Sequence, residues 1–136
     1  FLTGCMIFSY ASASDWFLIA KGNDEIIFVD KSSISSKGKY LKAWLIWDYI
    51  GTKKMEYHPY KEYRSIKSLW YLDCNSNSVA ISQSASYSGN FGAGESVDSH
   101  SNDISKLQFN DVVPDSIGET ILKYVCKQGA PKERLK

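Results

Sequence analysis

Cys74 and Cys126 constrain the fold of this chain more than any other pair of residues. Cys74 ends a segment in which apolar and polar residues alternate, which is the pattern of a β-strand with one buried face. Cys126 lies near the end of a short segment with the spacing of an amphipathic helix. Both side chains are predicted on the apolar side of their elements, so a bond between them would hold a C-terminal helix against a sheet. Two separately buried thiols are the alternative.

The N-terminal residues 1–13 have the pattern of the end of a secretory signal peptide. An uncharged and largely apolar run is followed by Ala-Ser-Ala, and the first charge is Asp15. We expect cleavage after Ala13, which would remove Cys5 and leave one even cysteine pair, as an oxidising compartment favours. Two alternatives stay open: lipid attachment at Cys5 within a lipobox-like Leu-Thr-Gly-Cys, and an ordinary apolar first strand in a cytosolic protein.

The rest of the chain predicts one domain with a short tail. Residues 14–127 are long enough for a single core, and the basic residues 128–136 are expected to form a flexible tail. The 16 basic and 15 acidic residues nearly cancel, which predicts no binding of nucleic acid or of an anionic membrane surface. No stretch reaches the roughly 20 apolar residues of a transmembrane helix, so no membrane span is expected.

The residues that could carry catalysis or hold a metal are sparse. His58 and His100 are the only histidines, and neither has cysteines or carboxylates nearby at metal-ligand spacing. No Gly-x-Ser-x-Gly elbow presents a nucleophilic serine, and the glycines at 89–94 lack the Gly-Lys-Ser/Thr of a phosphate loop. We therefore expect no catalytic residue, no metal and no cofactor, and a protein that is not an enzyme.

Alternating or apolar segments separated by turn-like residues predict five or six antiparallel strands that follow one another as a meander. The segment 40–50 carries tryptophan on both faces, which favours a central position in the sheet. The following residues 51–59 are predicted to form a basic, aromatic loop. We place the strands at residues 16–20, 25–30, 40–50, 63–74, 79–87 and 95–99.

The C-terminal helix has clear local signals. Pro114 prevents an earlier start, and Ser116 with Glu119 forms the Ser-x-x-Glu pattern of a capping box. Apolar residues then cluster on one half of the helical wheel, and Cys126 borders that half. The predicted fold class is α+β, a single antiparallel β-sheet meander of five or six strands with the C-terminal helix packed on one face and linked to it by the disulfide.

Several of these segments resemble the surface-adhesin protein E family of Gram-negative bacteria. The matching motifs are Asp-Cys at 73–74, Tyr-Ser-Gly at 87–89, Val-Pro-Asp-Ser-Ile-Gly-Glu at 113–119 and Val-Cys at 125–126. Their order and spacing extend the resemblance over about residues 16–126. Phe109 is a departure, because the family is expected to have tryptophan there.

The resemblance implies both a structure and a location. It implies a small antiparallel sheet whose C-terminal helix is held by the Cys74–Cys126 disulfide. It also implies an exported protein of the periplasm or cell surface, with relatives that bind host extracellular proteins. The corresponding function is an adhesin-like binding module that contacts host or envelope macromolecules. The alternative is a periplasmic structural or inhibitory protein with no host ligand.

The best candidate for a binding surface is a segment that combines aromatic rings with cationic heads, a mixture that recurs at protein interfaces. The expected partner is a protein, such as a host extracellular-matrix or plasma protein, and exposed sheet edges are compatible with a homodimer. A solvated hairpin whose tyrosines lie along the sheet is the alternative interpretation. The candidate ligand-binding residues are Lys53, Lys54, Tyr57, Tyr60, Lys61, Tyr63 and Arg64.

Overall fold

A computed structural model of the chain describes residues 4, 13–57 and 60–129. Apart from Gly4, the expected signal segment before Ala13, Cys5 included, lies outside the described residues, as does the tail from residue 130 onward. The strands are β1 (Trp16–Lys21), β2 (Glu25–Asp30), β3 (Ser35–Lys37), β4 (Tyr40–Lys54), β5 (Glu62–Asp73), β6 (Ser78–Tyr87), β7 (Ser96–Ser101) and β8 (Asn110–Asp111). They are followed by the helix α1 (Ile117–Gly129).

The strands form one antiparallel sheet in the spatial order β1-β2-β4-β5-β6-β7. The six strands of this path run in chain order apart from β3, which confirms the predicted meander. The two short strands were not predicted, because each is too short and too polar to show an alternating pattern. β3 pairs with the first residues of β4, and β8 pairs with the first residues of β6.

The predicted boundary between the 40–50 strand and its loop was wrong. β4 continues through Lys54, so the residues from Gly51 to Lys54 are strand and not loop. A register shift between Asp48 and Lys53 lets the pairing with β5 resume beyond the irregularity, where Lys53 pairs with Tyr63. The hairpin is therefore longer than the sequence pattern indicated.

The core lies between α1 and one face of the sheet. Ile121, Leu122 and Val125 on the helix are buried against residues of the four strands β1, β2, β4 and β5 and the start of β6. Burial of this apolar surface supplies most of the stabilisation. The sheet residues fully or almost fully buried there are Ile27, Val29, Ala43, Leu45, Trp70 and Leu72.

The start of α1 is capped as its sequence predicts, with one difference in the partners. The Ser116 Oγ accepts a hydrogen bond from the backbone N–H of Glu119 at 3.3 Å. The Glu119 carboxylate accepts from the N–H of Asp115 at 3.4 Å, one residue before the N–H that a capping box uses. Hydrogen bonds from Lys123 and from Asp115 lower the pKa of Glu119.

A disulfide joins Cys74, directly after β5, to Cys126 on α1, with a Cα–Cα distance of 5.9 Å and a sequence separation of 52 residues. It lies on the helix side of the sheet, where Cys126 packs against the core. The helix and the sheet are thus connected both by packing and by a covalent bond. None of the described helices is long and apolar enough to cross a membrane.

Candidate functional site

The described residues between 50 and 64 form a two-stranded arm that extends beyond the rest of the sheet. On one side β2 pairs with β4 only as far as Tyr49, and on the other side β6 pairs with β5 only from Ser65 onward. Among the residues that the structure describes, both outer edges of the arm therefore lack a neighbouring strand. The seven candidate binding residues all lie on this arm.

The base of the arm is fixed by aromatic and ionic contacts. The rings of Tyr49 and Tyr63 meet edge to face with their centroids 5.8 Å apart. The Lys53 ammonium lies 5.2 Å from the centre of the Tyr49 ring and pairs with Asp24 in the turn between β1 and β2. Burial, with a contribution from Tyr63, raises the pKa of Tyr49 to about 12.

The ion pair at the base also shifts the neighbouring carboxyl groups. The hydrogen bond from Lys53 lowers the pKa of Asp24, and the same bond raises the pKa of Lys53. The pKa of Glu25 is raised, chiefly because its carboxyl hydrogen-bonds to that of Asp24. Of the candidate residues, Lys53 and Tyr63 are thus half-buried and belong to the base of the arm.

The tip of the arm is the more accessible part. A hydrogen bond of 3.0 Å from the Met55 N–H to the Lys61 carbonyl closes it, and His58 and Pro59 within it lie outside the described residues. Tyr57 is 84% exposed and Tyr60 is 77% exposed, more than any other large apolar residue that the structure describes. Lys54 and Arg64 are exposed, and Lys61 is half-buried.

A second candidate surface, which sequence reasoning missed, lies on the sheet face opposite α1. At one end of this face, Trp16 on β1 pairs with Asp30 on β2. Across the other strands, each residue pairs with the next in the order Trp44 on β4, Leu69 on β5, Gln83 on β6 and Ser101 on β7. The sheet curls so that residues of both edge strands line one cavity of about 600 Å³. We call this the concave cavity.

The loop after β6 bends over the concave face. Phe91 adopts a left-handed backbone conformation with φ of 54°, and its ring meets the rings of Trp16 and Phe28 edge to face at 5.9 and 5.0 Å. The Asp48 carboxylate holds the loop by accepting a hydrogen bond of 2.7 Å from the Phe91 N–H. Residues far apart in the chain thereby close one end of this face.

Polar groups lie among the aromatic walls of the concave cavity. The Lys67 ammonium lies 5.7 Å from the centre of the Tyr87 ring, and among the described residues it has no carboxylate partner. Asp30 is buried, and its Oδ1 accepts hydrogen bonds from the backbone N–H groups of Asp15 and Ser32 at 2.8 and 3.0 Å. Gln83 and serines of β7 complete the polar lining.

One residue in the sequence, Trp44, could have indicated that the sheet face opposite α1 is aromatic. Trp44 lies on the strand face opposite Trp47, and the pattern was interpreted only as evidence for a central strand. Trp47 packs towards the helix-side core and stacks on Trp70, whereas Trp44 lines the concave cavity. Across the described residues, no group of histidine, cysteine, aspartate or glutamate is arranged to hold a metal ion.

Comparison with known proteins identifies similar sequences and folds. A family model described as Surface-adhesin protein E matches residues 16–127. Crystal form II of Haemophilus influenzae protein E is similar with a TM-score of 0.64 and 14% identity, covering 88% of this chain and 92% of that one. Protein E from non-typeable Haemophilus influenzae gives a TM-score of 0.59 and 15% identity, covering 89% and 84%. No curated protein matches the chain.

Proposed function

Because this chain belongs to the surface-adhesin protein E family, we propose that it is an exported, non-enzymatic binding module that contacts other proteins through the arm. Membership in a family of surface adhesins supports an exported or surface protein with a protein partner. The observation that carries the proposal is the concentration of exposed tyrosine and cationic side chains on a part of the sheet with no flanking strand.

The side chains of the arm suit a protein partner. Tyr57 and Tyr60 offer large rings whose immobilisation costs little conformational entropy. Lys54 and Arg64 are exposed and make no ion pair with a described residue, so their charges are available to acidic groups of a partner. Tyrosine and arginine are the residue types that most often dominate the energy of protein interfaces.

The backbone of the arm offers a second mode of contact. Because no described strand pairs with either outer edge of the arm, an extended segment of a partner could add a strand to it. Backbone hydrogen bonds would then supply affinity, and the exposed tyrosines and cations would supply selectivity. A host extracellular-matrix or plasma protein remains the proposed partner, and an envelope macromolecule is the alternative.

A binding experiment with matched charge variants tests the arm. The variant Lys54→Ala/Arg64→Ala/Tyr57→Ser removes exposed side chains and leaves Lys53 and Tyr63 to hold the base. The control Lys37→Ala/Lys106→Ala removes the same charge from exposed positions outside the arm. Both are measured against a panel of immobilised matrix and plasma proteins. We expect the arm variant to bind at least about tenfold more weakly than the wild type, because interface anchors each contribute of the order of 1–2 kcal/mol.

The control determines how the result is interpreted. Equal losses in both variants would mean that net charge, and not the arm, drives the binding. Undiminished binding by the arm variant would dismiss the arm as the contact surface. Protease treatment of intact cells tests location separately, since a protein confined to the periplasm would be spared while a surface protein would be cleaved.

A further inference from the structure

We propose that the concave cavity binds a carboxylated sugar residue of a glycan. The cavity lies on the curled sheet face opposite the helix, and its lining includes no residue of the arm. This inference therefore stands whether or not the arm binds a protein. It assigns a small-molecule site to the sheet face that α1 does not cover.

The size and walls of the cavity suit a sugar ring. A volume of about 600 Å³ lies within the usual range of roughly 300–1,000 Å³ for small-molecule sites and would hold one or two sugar units. Trp16, Trp44 and Tyr87 supply aromatic surface from three different strands. The C–H face of a pyranose packs on such rings, whereas its hydroxyls remain at the edge for hydrogen bonds.

Lys67 gives the cavity its preference for an acidic ligand. Its ammonium lies near the Tyr87 ring and has no carboxylate partner among the described residues. The side chain of Lys67 packs against Gly92, where a Cβ atom on the glycine would overlap its end. The cation therefore lies at the cavity wall between Gly92 and the Tyr87 ring. A charged hydrogen bond to a ligand carboxylate is stronger than one to a neutral oxygen.

The remaining polar groups favour a polyhydroxylated ligand over a simple organic acid. Asp30 lines the cavity, and no described residue donates a hydrogen bond to its Oδ2. A ligand hydroxyl can donate to this carboxylate, whereas a second carboxylate would be repelled by it. Gln83 both donates and accepts, and Ser99 and Ser101 add hydroxyls. An apolar ligand would leave these groups without hydrogen bonds, which is costly.

Titrations of the purified protein followed by amide NMR test the proposal. N-acetylneuraminic acid and glucuronic acid are the probes, because both carry a carboxylate on a pyranose ring. Galactose and acetate supply the neutral sugar and the simple acid. We expect saturable shifts at the amides of Lys67, Gln83 and Ser101 with one or both acidic sugars. A response to only one of them would identify whether the glycan carries a nonulosonic or a hexuronic acid.

Lysine variants give the matched comparison. Lys67→Met should weaken binding by about tenfold or more, since a hydrogen bond to a charged group is lost. Lys67→Arg keeps the charge and should retain most of the affinity. Lys39→Met is the control, because the Lys39 ammonium lies over the Tyr40 ring at 5.3 Å but is not part of the cavity lining. Near-UV circular dichroism of each variant checks that the fold is kept.

Several results would overturn the assignment. They are the absence of saturable shifts with both acidic sugars, equal affinity for galactose, equal affinity for acetate, and shifts confined to the arm. Equal binding by wild type and a folded Lys67→Met variant would also reject it. A short peptide that bound the cavity through its C-terminal carboxylate as tightly as the sugars do would assign the site to peptides instead. None of these results affects the binding test of the arm.

Discussion

At the scale of single residues, Lys53 has a structural role that its sequence context did not show. The sequence predicts that it contacts a ligand, and in the structure its ammonium pairs with Asp24 and packs on the Tyr49 ring. We expect Asp24 to titrate below its ordinary value of 3.8 and Lys53→Met to raise its pKa. Carboxyl titration by NMR measures both.

The sign of the effect on stability follows from the direction of the shift. Because folding lowers the pKa of Asp24, the pair stabilises the protein above the pKa that the carboxyl has when unfolded. This contribution is lost as the pH falls through the lower, folded value. Asp24 is exposed and Lys53 is only half-buried, so the effect will be small and reduced by salt. An Asp24 pKa that does not respond to Lys53→Met would contradict the ion pair.

A second prediction at this scale concerns Gly92. Gly92 and Gly38 both have positive φ values, 73° and 59°, so alanine at either position should cost about 1–2 kcal/mol of backbone strain. Only at Gly92 would the added Cβ overlap Lys67, and it would meet the mobile end of that side chain. We therefore expect Gly92→Ala and Gly38→Ala to lose similar stability in urea unfolding. Only Gly92→Ala should displace Lys67 from the Tyr87 ring.

The displacement has its own measurement. The side-chain methylene protons of Lys67 should experience the ring current of Tyr87 in the wild type. Their chemical shifts should move towards random-coil values in Gly92→Ala and stay unchanged in Gly38→Ala. Unchanged Lys67 shifts in a folded Gly92→Ala protein would mean that the glycine does not position this cation.

At the scale of secondary-structure elements, some features could be predicted from the sequence because their signals are local. Pro114 with Ser116 marks the start of α1, and the two cysteines lie on the apolar sides of their elements. The length of β4 could not be predicted, because its pairing with β5 resumes only after an irregularity beyond Asp48. Pairing of that kind depends on both strands and is not encoded in either one alone.

The concave cavity could not be predicted from the sequence either, because it too depends on how the strands pair. Its lining combines residues from β1, β2 and β4 to β7, with one each from the first four of these strands and several from β6 and β7. None of them stands out in the sequence from an ordinary strand position. Their alignment depends on the register of five strand pairs and on the bulge near Leu69. No local spacing could indicate that Trp16 and Ser101, from opposite edges of the sheet, line one site.

The arm allows a prediction about one element with two environments. Within residues 41–47 of β4, residues 41, 42 and 45–47 pair with strands on both sides, whereas from residue 50 onward the same strand pairs only with β5 among the described residues. Backbone hydrogen bonds with little burial open more easily. In hydrogen exchange we expect the amides of residues 50–64 to exchange much faster than those of residues 41–47. Equal protection in both halves at low protein concentration would mean that another part of the protein covers the arm.

At the scale of the whole molecule, the two faces of the sheet have different roles. The helix face is closed by α1, and the disulfide lies at that interface. The concave face remains open, and the arm projects from one end. The disulfide therefore stabilises the part of the molecule that supports both candidate surfaces without belonging to either of them.

Removal of the disulfide tests this division. The double variant Cys74→Ala/Cys126→Ala opens a loop of 52 residues. The chain-entropy model gives a loss of about 4 kcal/mol in the free energy of unfolding, mainly because the unfolded chain gains freedom. Urea unfolding at neutral pH measures the loss. The reduced wild type is the control, because it lacks the crosslink just as the variant does but keeps both cysteine side chains. Both should unfold at a lower midpoint than the oxidised protein.

The native structure of the variant should nevertheless persist, because Ile121, Leu122 and Val125 remain buried against the sheet. Far-UV circular dichroism of the folded variant should therefore show the same helix and strand content. The dependence of the free energy on urea should steepen, since an unfolded chain without the crosslink exposes more surface. A loss of less than about 1 kcal/mol, well below the range for disulfides closing long loops, would mean that packing alone holds the helix. We also expect the folded variant to bind through the arm and the cavity as the wild type does, since neither surface includes a cysteine.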